Sequence, residues 1–213
     1  GDMIMAYITA EEMKKCLSDN KKYRNKLYCK GFVLTTYRIE ILDQYPFYGN
    51  WNEQIISSGE NVYYLYTHCE TTKYVCNDGK RTYILIGHAY NPYSMEVDEE
   101  NILEELANSA KSGEVDFWDK ESELTGVFFW GCIYKEKVKF AVDCTGMQMT
   151  YCGEYEGNLY ITSHSKLVGD LIGLKRTKYI DKLVENHFWH YFGTWLPGDI
   201  SPYDELKRVV PNC

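Results

Sequence analysis

The fold is predicted most directly by the stretch from Leu124 to Val168, which reads LTGVFFWGCIYKEKVKFAVDCTGMQMTYCGEYEGNLYITSHSKLV. Aromatic and β-branched residues dominate four runs of this stretch, as they do in strands. Polar turns separate the runs, among them Lys135-Glu136-Lys137 and Glu156-Gly157-Asn158. After the last run, Ser163 is the predicted N-cap of a short helix. The stretch therefore predicts four consecutive strands followed by a helix.

The flanking sequence adds helices and further strands on both sides. Thr9 and Glu12 have the spacing of a capping box, which predicts a helix that continues to about Ser18. Asp78-Gly79 lies between two apolar runs and predicts a tight hairpin. The other predicted elements are strands at residues 32–42, 61–67, 73–76, 82–86 and 206–210, loops at residues 45–51 and 196–199, and helices at residues 98–110 and 180–192.

The order of these elements predicts an α+β protein. Two groups of antiparallel strands are expected, with helices outside them. A chain of 213 residues fits one domain, because sheet-rich domains of this length often remain undivided. We therefore expect a single domain over residues 1–213, in which residues 1–30 form an N-terminal helical extension.

Composition excludes several classes of function. The net charge of −8 argues against nucleic acid as a partner, because phosphate binding requires a basic surface. No apolar run approaches the roughly 20 residues that cross a bilayer, and Met3 to Ala6 is too short for a secretory signal. The eight cysteines contain no Cys-x-x-Cys pair, so we expect free thiols in a cytoplasmic protein and no metal site.

Five motifs in order resemble the N-terminal glutaminase domain of asparagine synthetase and other class II glutamine amidotransferases. The resemblance covers about Tyr83 to Pro211. The family's motifs are a strand ending Asn-Gly-Glu-Ile-Tyr-Asn, an acidic helix start, a Leu-x-Gly-Met-Phe-Ala-Phe strand, an Arg-Asp-x-x-Gly corner and a Leu-Tyr-Phe-Ala-Ser-Glu-x-Lys segment. They are matched here by Ile86-Gly87-His88-Ala89-Tyr90-Asn91, Asp98-Glu99-Glu100, Leu124-Thr125-Gly126-Val127-Phe128-Phe129-Trp130, Val142-Asp143-Cys144-Thr145-Gly146 and Leu159-Tyr160-Ile161-Thr162-Ser163-His164-Ser165-Lys166.

The resemblance implies an N-terminal-nucleophile hydrolase fold, a four-layer αββα sandwich of two antiparallel sheets. In that family an N-terminal cysteine attacks the glutamine amide, with its own α-amino group as the base. An Asn side chain and the N–H of the following Gly hold the oxyanion. This chain begins Gly-Asp-Met-Ile-Met, and Ile86 stands where the oxyanion Asn is expected, although Gly87 remains. His88 replaces the neighbouring Glu. The resemblance therefore implies a glutaminase frame that has lost its own chemistry.

The candidate site residues follow from this comparison. Cys29, Gly87 and His88 are the candidates for any remaining catalysis, because cleavage after Tyr28 would expose Cys29 as an N-terminal nucleophile. The expected pocket consists of Ile86, Gly87, His88, Asp98 and Glu99, and Asp143 and Gly146 are expected to shape a hairpin corner. His187 and His190, on an aromatic-rich helix, are expected to pack rather than to bind metal.

Three hypotheses for the function remain open. The first is an inactive glutaminase-like domain that serves as the N-terminal half of an asparagine-synthetase-like ligase, excised from a longer chain. Its partner would be a synthetase domain, in cis or as a separate subunit, and a glutamine-like molecule is a further potential ligand. ATP and Mg²⁺ would belong to that synthetase domain, whose Ser-Gly-Gly-x-Asp-Ser loop does not occur here, so no cofactor is expected in this domain. The alternatives are an amidohydrolase activated at Cys29, and a ligand-binding or interaction module around Gly87 and His88.

Overall fold

The computed structural model describes residues 8–186, 196 and 198–211. Within them the chain forms five α-helices, one 3₁₀ helix and ten strands. The helices are α1 (Ala10–Asp19), a 3₁₀ helix (Lys21–Lys26), α2 (Glu99–Ser112), α3 (Glu114–Ser122), α4 (Ser165–Ile172) and α5 (Lys178–Val184). The strands are β1 (Phe32–Thr35), β2 (Trp51–Ser58), β3 (Asn61–His68), β4 (Lys73–Asn77), β5 (Arg81–Tyr90), β6 (Thr125–Tyr134), β7 (Lys137–Val142), β8 (Tyr151–Tyr155), β9 (Asn158–Thr162) and β10 (Lys207–Arg208).

The strands form two antiparallel sheets. The large sheet has the order β10-β8-β9-β1-β3-β2, and the small sheet has the order β4-β5-β6-β7. In the large sheet, β1 pairs with β3 on one side and with β9 on the other, so that the first strand of the chain lies inside the sheet. In the small sheet, β5 and β6 form the longest ladder, from Arg81 opposite Tyr134 to Tyr90 opposite Thr125.

Three apolar layers hold the sheets and helices together. The middle layer lies between the two sheets and joins Phe32 and Leu65 of the large sheet to Ile84 and Phe129 of the small one. The second layer packs α2 and α3 on the outer face of the small sheet. The third packs α4 on the outer face of the large sheet. Side chains alternate between the faces of a strand, so each sheet is buried on both faces. The predicted α+β class and four-layer αββα sandwich are confirmed.

Several predicted boundaries were wrong, chiefly at strands. The predicted strand at residues 32–42 ends at Thr35, because the chain then leaves the sheet and the N–H of Ile39 donates to the Tyr66 hydroxyl at 2.8 Å. The predicted loop at residues 45–51 ends one residue early, since Trp51 begins β2. β2 was not predicted, because its Asn52-Glu53-Gln54 segment is polar. Among the described residues β2 pairs only with β3, and such an edge strand tolerates polar residues.

The helix predictions had mixed outcomes. The capping box at Thr9 is confirmed, since the Thr9 hydroxyl accepts the N–H of Glu12 and the Glu12 carboxylate accepts the N–H of Thr9. The predicted N-cap Ser163 was wrong, since α4 begins after His164, and the Ser163 hydroxyl accepts the N–H of Phe32 instead. α3 was not predicted. Residues 187–192 of the helix predicted at 180–192, with His187 and His190, lie outside the described residues.

The described residues were also searched for membrane-spanning helices, disulfides and metal sites. None of the helices they form combines the length and the apolar character needed to cross a bilayer. The seven cysteines within them, residues 16, 29, 69, 76, 132, 144 and 152, are all free thiols. No group of three or more His, Cys, Asp or Glu side chains in this part of the chain is arranged to hold a metal ion.

Candidate functional site

The start of β1 is reached through a tight turn that contains Cys29. Tyr28 and Lys30, on either side of it, have φ angles of 53° and 58°, in the left-handed region that L-residues rarely adopt. The N–H of Cys29 donates to the Lys26 carbonyl at 3.3 Å, and the N–H of Gly31 donates to the Tyr28 carbonyl at 2.9 Å. The turn thus places Cys29 immediately before a central strand of the large sheet. Its nitrogen is an amide engaged as a hydrogen-bond donor.

The Cys29 thiol is bonded to a carboxylate. Its Sγ donates to Glu70 Oε2 at 3.2 Å, and Glu70 also pairs with Lys26 at 2.8 Å. The hydrogen bond to Glu70, followed by burial, raises the pKa of Cys29 above its ordinary value. A raised pKa keeps the thiol protonated, and the protonated form is a poor nucleophile.

Ile86 and Gly87, which the resemblance aligns with the oxyanion-binding pair, lie on β5. Ile86 is 1% exposed and belongs to the layer between the sheets. It lies opposite Phe129, whose ring is 4.8 Å from that of Phe32 at the start of β1. The N–H of Gly87 donates to the Thr72 carbonyl at 3.0 Å. The Ile86 side chain therefore offers no polar group. The Gly87 N–H, the other donor expected here, already has an acceptor.

His88 forms a separate polar cluster with the start of α2. Its Nδ1 lies 3.0 Å from Glu99 Oε1, and the Tyr74 hydroxyl donates to Glu99 Oε2 at 3.3 Å. Asp98 is the N-cap of α2 and accepts the N–H groups of Glu100 and Asn101. The structure thus brings the exposed His88 ring within hydrogen-bond distance of the Glu99 carboxylate. Ile86 lies in the core, and none of these residues lines either of two cavities described for the molecule.

Asp143 and Gly146 lie at the corner that follows β7. The Asp143 carboxylate is fully buried. It accepts the N–H groups of Thr145, Met147 and Gln148, and the Thr145 hydroxyl as well. The N–H of Gly146 donates to the Asp143 carbonyl at 2.8 Å, and Gly146 has a φ of 64°. In this geometry the carboxylate is fully used in shaping the chain.

Sequence reasoning did not place Ser163 and His164 at the candidate site, although they lie beside the start of β1. The Ser163 hydroxyl accepts the Phe32 N–H at 2.8 Å and lies 2.8 Å from His164 Nδ1. The His164 ring packs edge-on against Tyr28 at 5.2 Å. A Ser-His contact is the arrangement of a nucleophile and its base. Here Ser163 is only 6% exposed and its hydroxyl is bonded to β1, so the pair links β9 to β1. The contact between Ser163 and the neighbouring strand β1 of the same sheet was not evident from two adjacent letters in the sequence.

His164 should make stability depend on pH. Burial lowers the pKa of His164 to about 4, whereas an unfolded histidine takes up its proton at about 6.5. Between these values the unfolded state binds the additional proton, so acidification destabilises the fold. We expect the free energy of unfolding to fall by about 2 to 3 kcal/mol between pH 7 and pH 4 through this group.

Urea denaturation at a series of pH values measures this effect. The difference between the wild-type protein and His164→Gln isolates the histidine from the carboxylates that titrate over the same range. The wild type should lose more stability than the variant as the pH falls, and equal slopes for both proteins would contradict the assignment.

Three comparisons with known proteins were made, and one of them found a similar protein. No model of a protein family matches the sequence, and no curated protein matches it. Among solved structures, the chain is similar to a glutamine phosphoribosylpyrophosphate amidotransferase from B. subtilis, complexed with ADP and GMP. The two are 11% identical with a TM-score of 0.45 over 67% of this chain, and the match spans 43% of the amidotransferase chain.

Proposed function

We propose that this chain is a glutaminase-like domain without glutaminase activity of its own. In this proposal it is the N-terminal half of an asparagine-synthetase-like ligase. The five motifs in family order support the relationship. The four-layer arrangement, with β1 as an inner strand of the large sheet, is compatible with it.

The proposed loss of activity depends chiefly on the two groups found at the expected oxyanion position. Glutamine hydrolysis needs two donors aimed at the oxygen that becomes negative. Ile86 supplies no donor, and the N–H of Gly87 is bonded to Thr72. Removing a single oxyanion donor costs about 100- to 1000-fold in rate, and here neither donor is available.

The nucleophile position supports the same proposal. The family's base is a free α-amino group, which requires that nothing precedes the cysteine. In the folded chain Tyr28 precedes Cys29, and the Cys29 nitrogen is an amide that donates to Lys26. The thiol itself donates to Glu70. Neither the base nor a thiolate is provided.

The proposal assigns the remaining chemistry to a partner. A synthetase domain, in cis or as a separate subunit, would activate a carboxylate with ATP and Mg²⁺ and take its nitrogen from elsewhere. This domain would hold no cofactor and would act in the cytoplasm as the structural half of the ligase. Because ligation needs the synthetase loop, the coding sequence beyond Cys213 is informative. A Ser-Gly-Gly-x-Asp-Ser motif shortly downstream is expected if the two halves form one chain. Its absence there, together with the absence of a co-purifying subunit that carries the motif, would contradict the ligase assignment.

Ammonia release from glutamine tests the loss of activity directly. We expect the purified chain to release no ammonia above the uncatalysed background, and Cys29→Ala to behave identically. Cys16→Ala is the matched control, since Cys16 is an exposed thiol on α1. Release that disappears in Cys29→Ala but persists in Cys16→Ala would overturn the proposal.

That outcome would favour the second candidate function, an amidohydrolase activated by cleavage after Tyr28. The position of Cys29 directly before β1, in a turn with two positive φ angles, is the observation in its favour. Intact-mass and N-terminal analysis of the native protein would reveal such cleavage. We expect the bond between Tyr28 and Cys29 to be uncut.

A further inference from the structure

The helices leave part of the small sheet's outer face uncovered. α2 and α3 pack over Tyr83, Leu85 and Trp130, but the end of the β6–β7 hairpin extends beyond them. A cavity of about 380 Å³ lies there, between the end of α2, α3 and strands β5, β6 and β7. This size is within the range of about 300–1,000 Å³ that is typical of small-molecule sites.

The floor of this cavity is aromatic. The Phe117 ring lies 4.3 Å from the Trp130 ring and 4.9 Å from the Trp118 ring. Phe117 and Trp130 are almost fully buried, whereas Trp118 is 40% exposed at the edge. Flat aromatic surfaces of this kind favour planar apolar groups, which stack on them in offset or edge-on arrangements.

The rim of the cavity is cationic. The sheet register places Tyr134 opposite Arg81 on one side and Lys137 on the other, and places Lys139 opposite Cys132. The Arg81 guanidinium lies over the Tyr134 ring at 5.1 Å and donates to the Ala110 carbonyl at 2.7 Å, which ties β5 to the end of α2. Lys111 completes the set from α2. Four cations from three elements thus surround one opening.

This concentration of positive charge is unusual for the chain. Acidic residues outnumber basic ones by 31 to 23, and the net charge is −8. Among the described residues that line the cavity, none is Asp or Glu. Burial raises the pKa of Cys132 to about 11, so that thiol adds no negative charge at neutral pH. Clustered charge of one sign beside a low-dielectric wall attracts ligands of the opposite sign.

We propose that this cavity binds a planar aromatic carboxylate. The ring system would lie against Phe117 and Trp130, and the carboxylate would face Lys111, Lys137 and Arg81. An inorganic anion would leave the aromatic floor uncovered, and a neutral aromatic molecule would gain nothing from the positive charge of the rim. The site is separate from Cys29 and Gly87, so this inference does not depend on the proposed function.

Isothermal titration of the intact chain with naphthoate tests the proposal. We expect saturable binding with a Kd of about 0.1 mM, ordinary for a ligand of this size. Naphthamide, with the same rings and no charge, should bind about tenfold more weakly. Lys137→Gln should weaken naphthoate binding about fivefold, and a double variant with Lys111→Gln should weaken it at least about tenfold.

The control is Lys178→Gln, which removes an exposed lysine on α5, an element that does not line the cavity. It should leave naphthoate affinity unchanged. Three results would each overturn the proposal: no saturable binding up to about 5 mM, well beyond the Kd expected for this ligand size, equal affinity for naphthoate and naphthamide, or equal effects of Lys137→Gln and Lys178→Gln. All three lysines are on the surface, so their substitution is expected to leave the fold intact.

Discussion

Replacing Gly87 with alanine is expected to destabilise the protein by about 4 kcal/mol or more. Gly87 has a φ of 99°, and a Cβ at this position would lie 2.3 Å from the Val127 carbonyl oxygen of β6. That oxygen belongs to the backbone of an inner strand pair, so it cannot move without displacing the β5–β6 ladder. Urea denaturation monitored by circular dichroism gives the free energy of unfolding.

A second glycine separates the close contact from the backbone angle. Gly79, in the β4–β5 hairpin, has a φ of 86°, and its Cβ would meet nothing within 4 Å. Gly79→Ala therefore incurs only the conformational cost of a left-handed residue, about 1 to 2 kcal/mol. Equal losses of stability in Gly79→Ala and Gly87→Ala would show that the close contact between β5 and β6 is not the reason why position 87 requires glycine.

Asp143→Ala is expected to cost about 4 kcal/mol, because it removes a buried carboxylate that accepts three backbone N–H groups. Hydrogen bonds to a charged acceptor contribute about 1.5 to 3 kcal/mol each, and partial rehydration of the corner recovers some of the loss. Asp143→Asn keeps one oxygen but places an amide donor near an N–H group, so we expect about half of the full effect.

Asp78 provides the matched control for the corner. Its carboxylate accepts two backbone N–H groups, those of Lys80 and Arg81, and the Tyr83 hydroxyl at 3.3 Å, but it lies in a partly exposed hairpin. Water replaces the acceptor for the two N–H groups, so Asp78→Ala should cost about 1 to 2 kcal/mol, less than Asp143→Ala. Thermal or urea unfolding of the four proteins checks the order. Equal losses for Asp78→Ala and Asp143→Ala would show that burial of the acceptor does not determine the cost.

The sequence predicted the elements whose signals are local. The capping box at Thr9, the Asp78-Gly79 turn and the four strands from β6 to β9 all appear where the pattern placed them. Each depends on interactions within a few residues, such as a side-chain cap or a turn that needs a positive φ. The prediction failed at β2, whose strand conformation depends on a neighbour, β3, that its own composition does not indicate.

The candidate site could be predicted only in part. The sequence predicted Cys29, Gly87 and His88 as candidate residues, and the resemblance implied that Ile86 stands where an oxyanion Asn is expected. It did not predict that Ser163 and His164 lie beside the start of β1, because they are separated from that strand by about 130 positions. It also did not predict the cavity on the outer face of the small sheet.

Sequence alone was thus sufficient for the α+β class and for most of the strands and turns. Only the tertiary structure determined that the N–H of Gly87 has Thr72 as its acceptor, and that Arg81, Lys111 and Lys137 surround one aromatic cavity. The physical reason is that local elements form from neighbouring residues, whereas hydrogen-bond partners and charge clusters depend on sheet register and helix packing. Those bring together residues that no short stretch of sequence contains.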